Sequence, residues 1–146
     1  AHTLTEDDLV AALGGRRPGV PVVRGDTYDL VHAADAALVA SGTATVETAL
    51  LGRPMVIMYR VSGLPYAIAR RLIRVDAIGM PNLILGRRVF PELVQDDVTP
   101  ENLVAAVHEV RSRAAELEEA LVALRARLGE PGAAGRAADL ALELVA

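Results

Sequence analysis

Ala34-Asp-Ala-Ala-Leu-Val-Ala-Ser-Gly-Thr-Ala-Thr-Val-Glu-Thr-Ala-Leu-Leu-Gly-Arg-Pro-Met-Val-Ile-Met-Tyr-Arg60 reads as strand, tight turn, helix, strand. Ala36 to Ala40 is a short apolar run between polar residues, the pattern of a strand buried on both faces of a parallel sheet. Ser41-Gly42 turns the chain. Thr43 to Leu51 carries apolar Val46, Ala49 and Leu50 at helical spacing, and Gly52-Arg53-Pro54 closes that helix. The first backbone N–H groups of such a helix have no intrahelical partner, and the positive end of its dipole favours an anion. With the hydroxyls of Ser41, Thr43 and Thr45 they form a donor set suited to a phosphate. Glu47 falls one turn after Thr43 on the same face, where a carboxylate accepts hydrogen bonds from the two hydroxyls of a ribose. Phosphate donors and a hydroxyl acceptor on one face point to a nucleotide. The plainer alternative is a helix cap followed by a solvated acid.

Working outward, Val20 to Arg24 reads as a strand and Tyr28 to Ala34 as a helix entered from Gly25-Asp26-Thr27. Glu6 to Leu13 reads as a short helix. Pro54 to Tyr59 is a second buried strand. Leu64, Ile68, Leu72 and Val75 recur at helical spacing, and Ile78 to Val89 reads as a short strand and loop. Strands alternating with helices give a parallel α/β sheet, whose ligands bind outside the carboxyl ends of the strands. Ser41 and Arg60 each follow a strand, so both belong on that side.

After residue 95 the pattern is helical. Thr99-Pro100-Glu101 supplies a cap, a proline in the first turn and an acid. Leu103, Val104, Val107 and Val110 form one apolar face. Leu117, Leu121, Leu124 and Leu128 continue to the Gly129-Glu130-Pro131-Gly132 breaker, and a last helix spans about Gly135 to Val145. The leucine stripe fits internal packing; a seam between copies of a homo-oligomer is the alternative.

Three further groups follow the turn in order: Tyr59-Arg60-Val-Ser-Gly-Leu-Pro-Tyr66, Pro81-Asn82-Leu83, and Pro91-Glu92-Leu93-Val94-Gln95. Together with Ala40-Ser-Gly-Thr-Ala-Thr-Val-Glu47 this succession resembles the carboxy-terminal part of lipid-A-disaccharide synthase, a bacterial glycosyltransferase of GT-B architecture. The resemblance runs from about Gly25 to about Val110. It implies a partial Rossmann-like GT-B carboxy-terminal domain, α/β over about residues 20–95 with a helical tail over about 99–146. The family transfers a diacylated glucosamine from a UDP donor to diacylglucosamine 1-phosphate, a glycolipid phosphate acceptor, and UDP leaves. On that resemblance Ser41, Gly42 and Thr43 face the diphosphate and Glu47 the ribose, while Asn82, Glu92 and Gln95 stand at the family's Pro-Asn and Pro-Glu-x-x-Gln motifs. No cofactor, metal or nucleic acid is implied. A full synthase has an amino-terminal acceptor domain and further opening strands, so the chain reads as a fragment with an uncovered sheet edge, and no catalytic residue is assigned. Other UDP-sugar enzymes of this architecture, an N-acetylglucosaminyl transferase or an epimerase, share the phosphate and ribose logic, although Pro91 to Gln95 argues against them. A dimerising module with a vestigial pocket is the non-enzymatic rival.

Composition bounds these readings. The chain has 146 residues, 52% hydrophobic, enough for one domain with its own core. It has no cysteine, so neither a disulfide framework nor a thiolate metal site is available. His2, His32 and His108 are isolated, and no run approaches the ~20 apolar residues of a membrane span. All 15 basic residues are arginine, and the net charge of −4 is unevenly spread. Residues 1–59 carry −3, residues 60–88 carry +5 and residues 89–146 carry −6. In the basic island Arg70, Arg71 and Arg74 lie on or beside the polar face of the Leu64 to Val75 repeat. Such a face suits anionic lipid headgroups or a glycolipid phosphate, and equally an ordinary solvated helix surface. The resulting expectation is a cytoplasmic protein, peripheral on the inner membrane.

Overall fold

The computed structural model describes residues 5–23, 25–60 and 77–144. The Leu64 to Val75 repeat, with Arg70, Arg71 and Arg74, lies outside them. Three parallel strands form the sheet, in the order β1 (Ala37–Ala40), β2 (Met55–Tyr59), β3 (Glu92–Val94). Ala37 to Ala40 lie opposite Met55 to Met58, and Ile57, Met58 and Tyr59 lie opposite Glu92, Leu93 and Val94. The α/β arrangement expected from the alternating pattern is thus observed, and it is that of a Rossmann-like domain.

The central strand carries the core. Met55, Val56 and Ile57 point alternately to opposite faces, and all three are buried. Helix α3 (Thr43–Leu50), which crosses from β1 to β2, and helix α5 (Pro100–Ser112) both pack on β2. Helix α6 (Ala114–Leu128) packs on α3 and on α4 (Met80–Leu85), burying Leu117, Ala120, Leu121 and Leu124. The leucine stripe is therefore internal packing at those positions, each large side chain contributing about 1.5–3 kcal/mol. Arg125 and Arg127 of α6 donate to the carbonyls of Leu50 and Ile84, in the last turns of α3 and α4, which anchors both helix ends with cations.

Several elements depart from the sequence reading. Residues 20–23 form no strand, and Val20 is 70% exposed. Pro21 removes one ladder donor, and nothing among the described residues pairs with the segment. β1 is not buried on both faces: Val39 is buried, but Leu38 is 47% exposed, because β1 has β2 as its one neighbour in the described sheet. Residues 80–85, read as strand and loop, are helix α4, with Pro81 in its first turn and Gly86 in the left-handed conformation at its end. The inner face of α3 is Thr45, Thr48 and Ala49, while Leu50 is exposed. Val104 is exposed, whereas α5 buries Val110, as expected, together with Ala106.

Two of the expected helix ends are observed, whereas Asp26 at the head of the Thr27–Ala33 helix makes no side-chain cap bond. Thr99 accepts from Asn102 N at 3.2 Å at the head of α5. Gly52 N donates to Ala49 O and Arg53 N to Thr48 O, the paired bonds of a Schellman ending. The long helical tail is broken at Arg113, whose guanidinium forks onto Glu116 at 2.9 and 3.0 Å and reaches Glu109 at 2.6 Å. Those hydrogen bonds hold the Glu116 carboxyl below its ordinary value. Helices α1 (Glu6–Ala12), α2 (Thr27–Ala33) and α7 (Ala133–Glu143) bury no residue.

Candidate functional site

The carboxyl ends of the three strands lie side by side. Ser41 follows β1, Arg60 follows β2 and Gln95 follows β3, and the parallel register staggers them by no more than one residue. Ser41 N donates to Met58 O at 2.7 Å, which continues the ladder one step past β1 and fixes where the turn departs.

At that turn Gly42 has φ +151° and ψ −167° and caps α3. A side chain there would meet no atom within 4 Å, so the conformation rather than crowding calls for glycine. The space above it is open. Gly42, Thr43 and Glu47 are exposed and Ser41 half-buried, so this rim offers the N–H groups of Thr43 and Ala44, two hydroxyls and a carboxylate. Arg60 is exposed on the same rim.

Thr45 is placed otherwise. It is fully buried, its hydroxyl donates to Gly42 O at 2.7 Å and its N–H to the same carbonyl at 3.1 Å. Its donor is spent inside the turn, bracing Gly42. Thr48, one turn on, likewise donates to Ala44 O at 2.8 Å.

Asn82 and Glu92 also lie away from the rim, and they lie together. Asn82 is fully buried with its amide saturated: Nδ2 donates to Phe90 O and Glu92 Oε1, both at 2.8 Å. Its Oδ1 accepts from Val89 N and Phe90 N at 2.9 and 3.0 Å. The Glu92 carboxylate further accepts from Ile78 N and Gly79 N, each at 2.8 Å. These are bonds of a charged acceptor to the entry of α4, stronger than neutral ones. Gly79, which the sequence reading passed over, completes the cluster. A Cβ there would overlap Ile57 Cδ1 and come within 3.0 Å of Glu92 Oε1. Gln95 reaches the rim with φ +53°, a left-handed conformation uncommon outside glycine. Among the described residues no group of His, Asp or Glu side chains is arranged to hold a metal ion.

A family described as Lipid-A-disaccharide synthetase matches residues 17–138, a span that includes the whole rim and the Asn82–Glu92 cluster. The chain belongs to the lipid-A-disaccharide synthase family. It is similar to the synthase of Syntrophus aciditrophicus, 51% identical over 131 residues, covering 88% of this chain and 34% of that protein. The synthases of Myxococcus xanthus and Geobacter metallireducens are 42% and 40% identical, each over 99% of this chain and over 39% and 38% of their own lengths. The chain thus spans between a third and two-fifths of these curated relatives. Among the described residues no helix is long and apolar enough to cross a membrane.

Proposed function

We propose that this chain is the nucleotide-holding part of a hexosyltransferase of lipid A biosynthesis, in which a diacylated glucosamine passes from a UDP donor to diacylglucosamine 1-phosphate. The observation that carries the reading is the open turn at Ser41-Gly42-Thr43, where a positive-φ glycine delivers the chain from a strand end into a helix start beside Glu47. The leaving UDP takes on charge as the glycosidic bond breaks. Backbone N–H groups and hydroxyls already aimed at the diphosphate stabilise that charge without reorganisation. Glu47 accepts from the ribose hydroxyls and sets the register of the nucleotide, and Arg60 adds positive charge at the next strand end. Asn82, Glu92 and Gln95 belong to the same subsite, the first two from below. Groups that activate the acceptor hydroxyl are not assigned to this chain.

Isothermal titration with UDP tests the reading. Glu47→Ala is expected to weaken binding by about 1.5–3 kcal/mol through loss of charge-assisted hydrogen bonds. Equal affinity in wild type and variant would remove Glu47 from the site. The proposal extends to a peripheral position on the cytoplasmic face of the inner membrane, with Arg70, Arg71 and Arg74 meeting anionic headgroups or the acceptor phosphate. Co-sedimentation with anionic vesicles should then fall on the triple Arg→Gln change and at high salt; vesicle binding indifferent to both would withdraw the lipid contact.

A further inference from the structure

Glu92 and Asn82 make side-chain bonds to each other and to five backbone groups: Ile78 N, Gly79 N, Val89 N, Phe90 N and Phe90 O. Those groups bracket α4 at both ends and include the connection into β3. The strand itself has three residues and pairs with β2, Ile57 N donating to Pro91 O at 2.9 Å. So short a strand, with one neighbour in the described sheet, is held at its first residue by this cluster in addition to its pairing with β2 and the packing of Leu93 on the core. The first residue is Glu92, and Gln95 follows the last one.

From this we infer that Glu92, seated by Asn82, is a positioning residue: it fixes β3 against the entry of α4 and so sets where Gln95 stands on the rim. The inference deepens the nucleotide reading and rests on it for the ligand. Both Glu92 oxygens are engaged in this role, Oε1 accepting from Gly79 N and Asn82 Nδ2 and Oε2 from Ile78 N. Gln95 reports on the strand because it is the residue that directly follows β3. The cluster also explains Gly79. Any side chain at Gly79 requires the buried Ile57 side chain to shift beside the Glu92 carboxylate.

The test uses this chain with isotope-labelled amides. Glu92→Gln keeps the shape but turns one acceptor into a donor facing an N–H group. It should shift the amide resonances of Gln95 as well as those of Ile78 and Gly79, with the helical circular dichroism retained; if that variant does not fold, Glu92→Asp, which keeps the charge but shortens the reach, is read in the same way. In UDP titrations Glu92→Gln should weaken binding about three- to tenfold, and the double variant Glu92→Gln/Gln95→Ala should bind no more weakly than Gln95→Ala alone, since coupled residues are not additive. Additive losses, or a Gln95 amide that does not move, would overturn the positioning role. Absence of any UDP-induced shift in the wild type would sink the nucleotide reading instead, while the Gln95 amide in Glu92→Gln would still decide the positioning claim.

Discussion

Residues 5–34 and residues 37–128 obey the same local rules and end in different states. Helix α1 has a complete capping box, Thr5 Oγ1 accepting from Asp8 N at 3.2 Å and Asp8 Oδ2 from Thr5 N at 2.7 Å, yet it buries nothing. Helix α3 has no side-chain cap bond and buries Thr45, Thr48 and Ala49. Tyr28 and Leu30 of α2 are 59% and 52% exposed, whereas the buried core runs from Val39 to Leu124. Local chemistry makes a helix start where it starts; the sheet decides whether it is held. Val20 to Val23 shows the same for strands, since β-branched residues without a ladder partner form no strand.

This contrast breaks first, and most visibly, in the core. Leu124→Ala should cost about 3–5 kcal/mol by leaving a cavity between α6 and its neighbours, while Leu30→Ala should stay within about 0.5 kcal/mol. Urea unfolding of the two variants measures both; equal losses would mean that α2 is packed after all. Next comes Asn82→Ala, which strands Val89 N, Phe90 N and Phe90 O in the interior. An expected loss of about 2–3 kcal/mol in the same assay follows from the desolvation of unpaired groups; a near-neutral result would show that water replaces the amide. The smallest effect belongs to Thr5→Ala. Losing the cap should fray α1 at a local cost of about 1 kcal/mol, visible as faster amide exchange at Asp8, with the global unfolding midpoint unmoved. A lowered midpoint would join α1 to the cooperative core.

Much of this was legible in the sequence where local signals and burial agree. β2, legible as Pro54 to Tyr59, is observed at Met55–Tyr59, and the Thr99 and Gly52 caps sit where their residue types require. The turn at Ser41 to Thr43 was likewise readable, because strand, glycine and helix start are contiguous. Helix α4 was readable but misread: Pro81 and Gly86 are its start and stop, and its six residues are too few to show a period. Thr45 looked equivalent to Ser41 and Thr43 as a hydroxyl near a turn, and its place one turn before Ala49, on the inner face, decides otherwise. The pairing of Asn82 with Glu92 spans ten residues and a helix, a relation that spacing does not encode.

The rim formed by the three strand ends, and not the exposed helices α1 and α2 of residues 6–33, is where we propose that a uridine nucleotide binds. An amide-resolved titration of this chain with UDP tests it most directly. Saturable shifts are expected at Ser41, Gly42, Thr43, Glu47 and Arg60, with smaller ones at Gln95, and none at Val20 to Leu30. Shifts centred on residues 20–30, or a rim that stays silent while shifts saturate elsewhere, would contradict it.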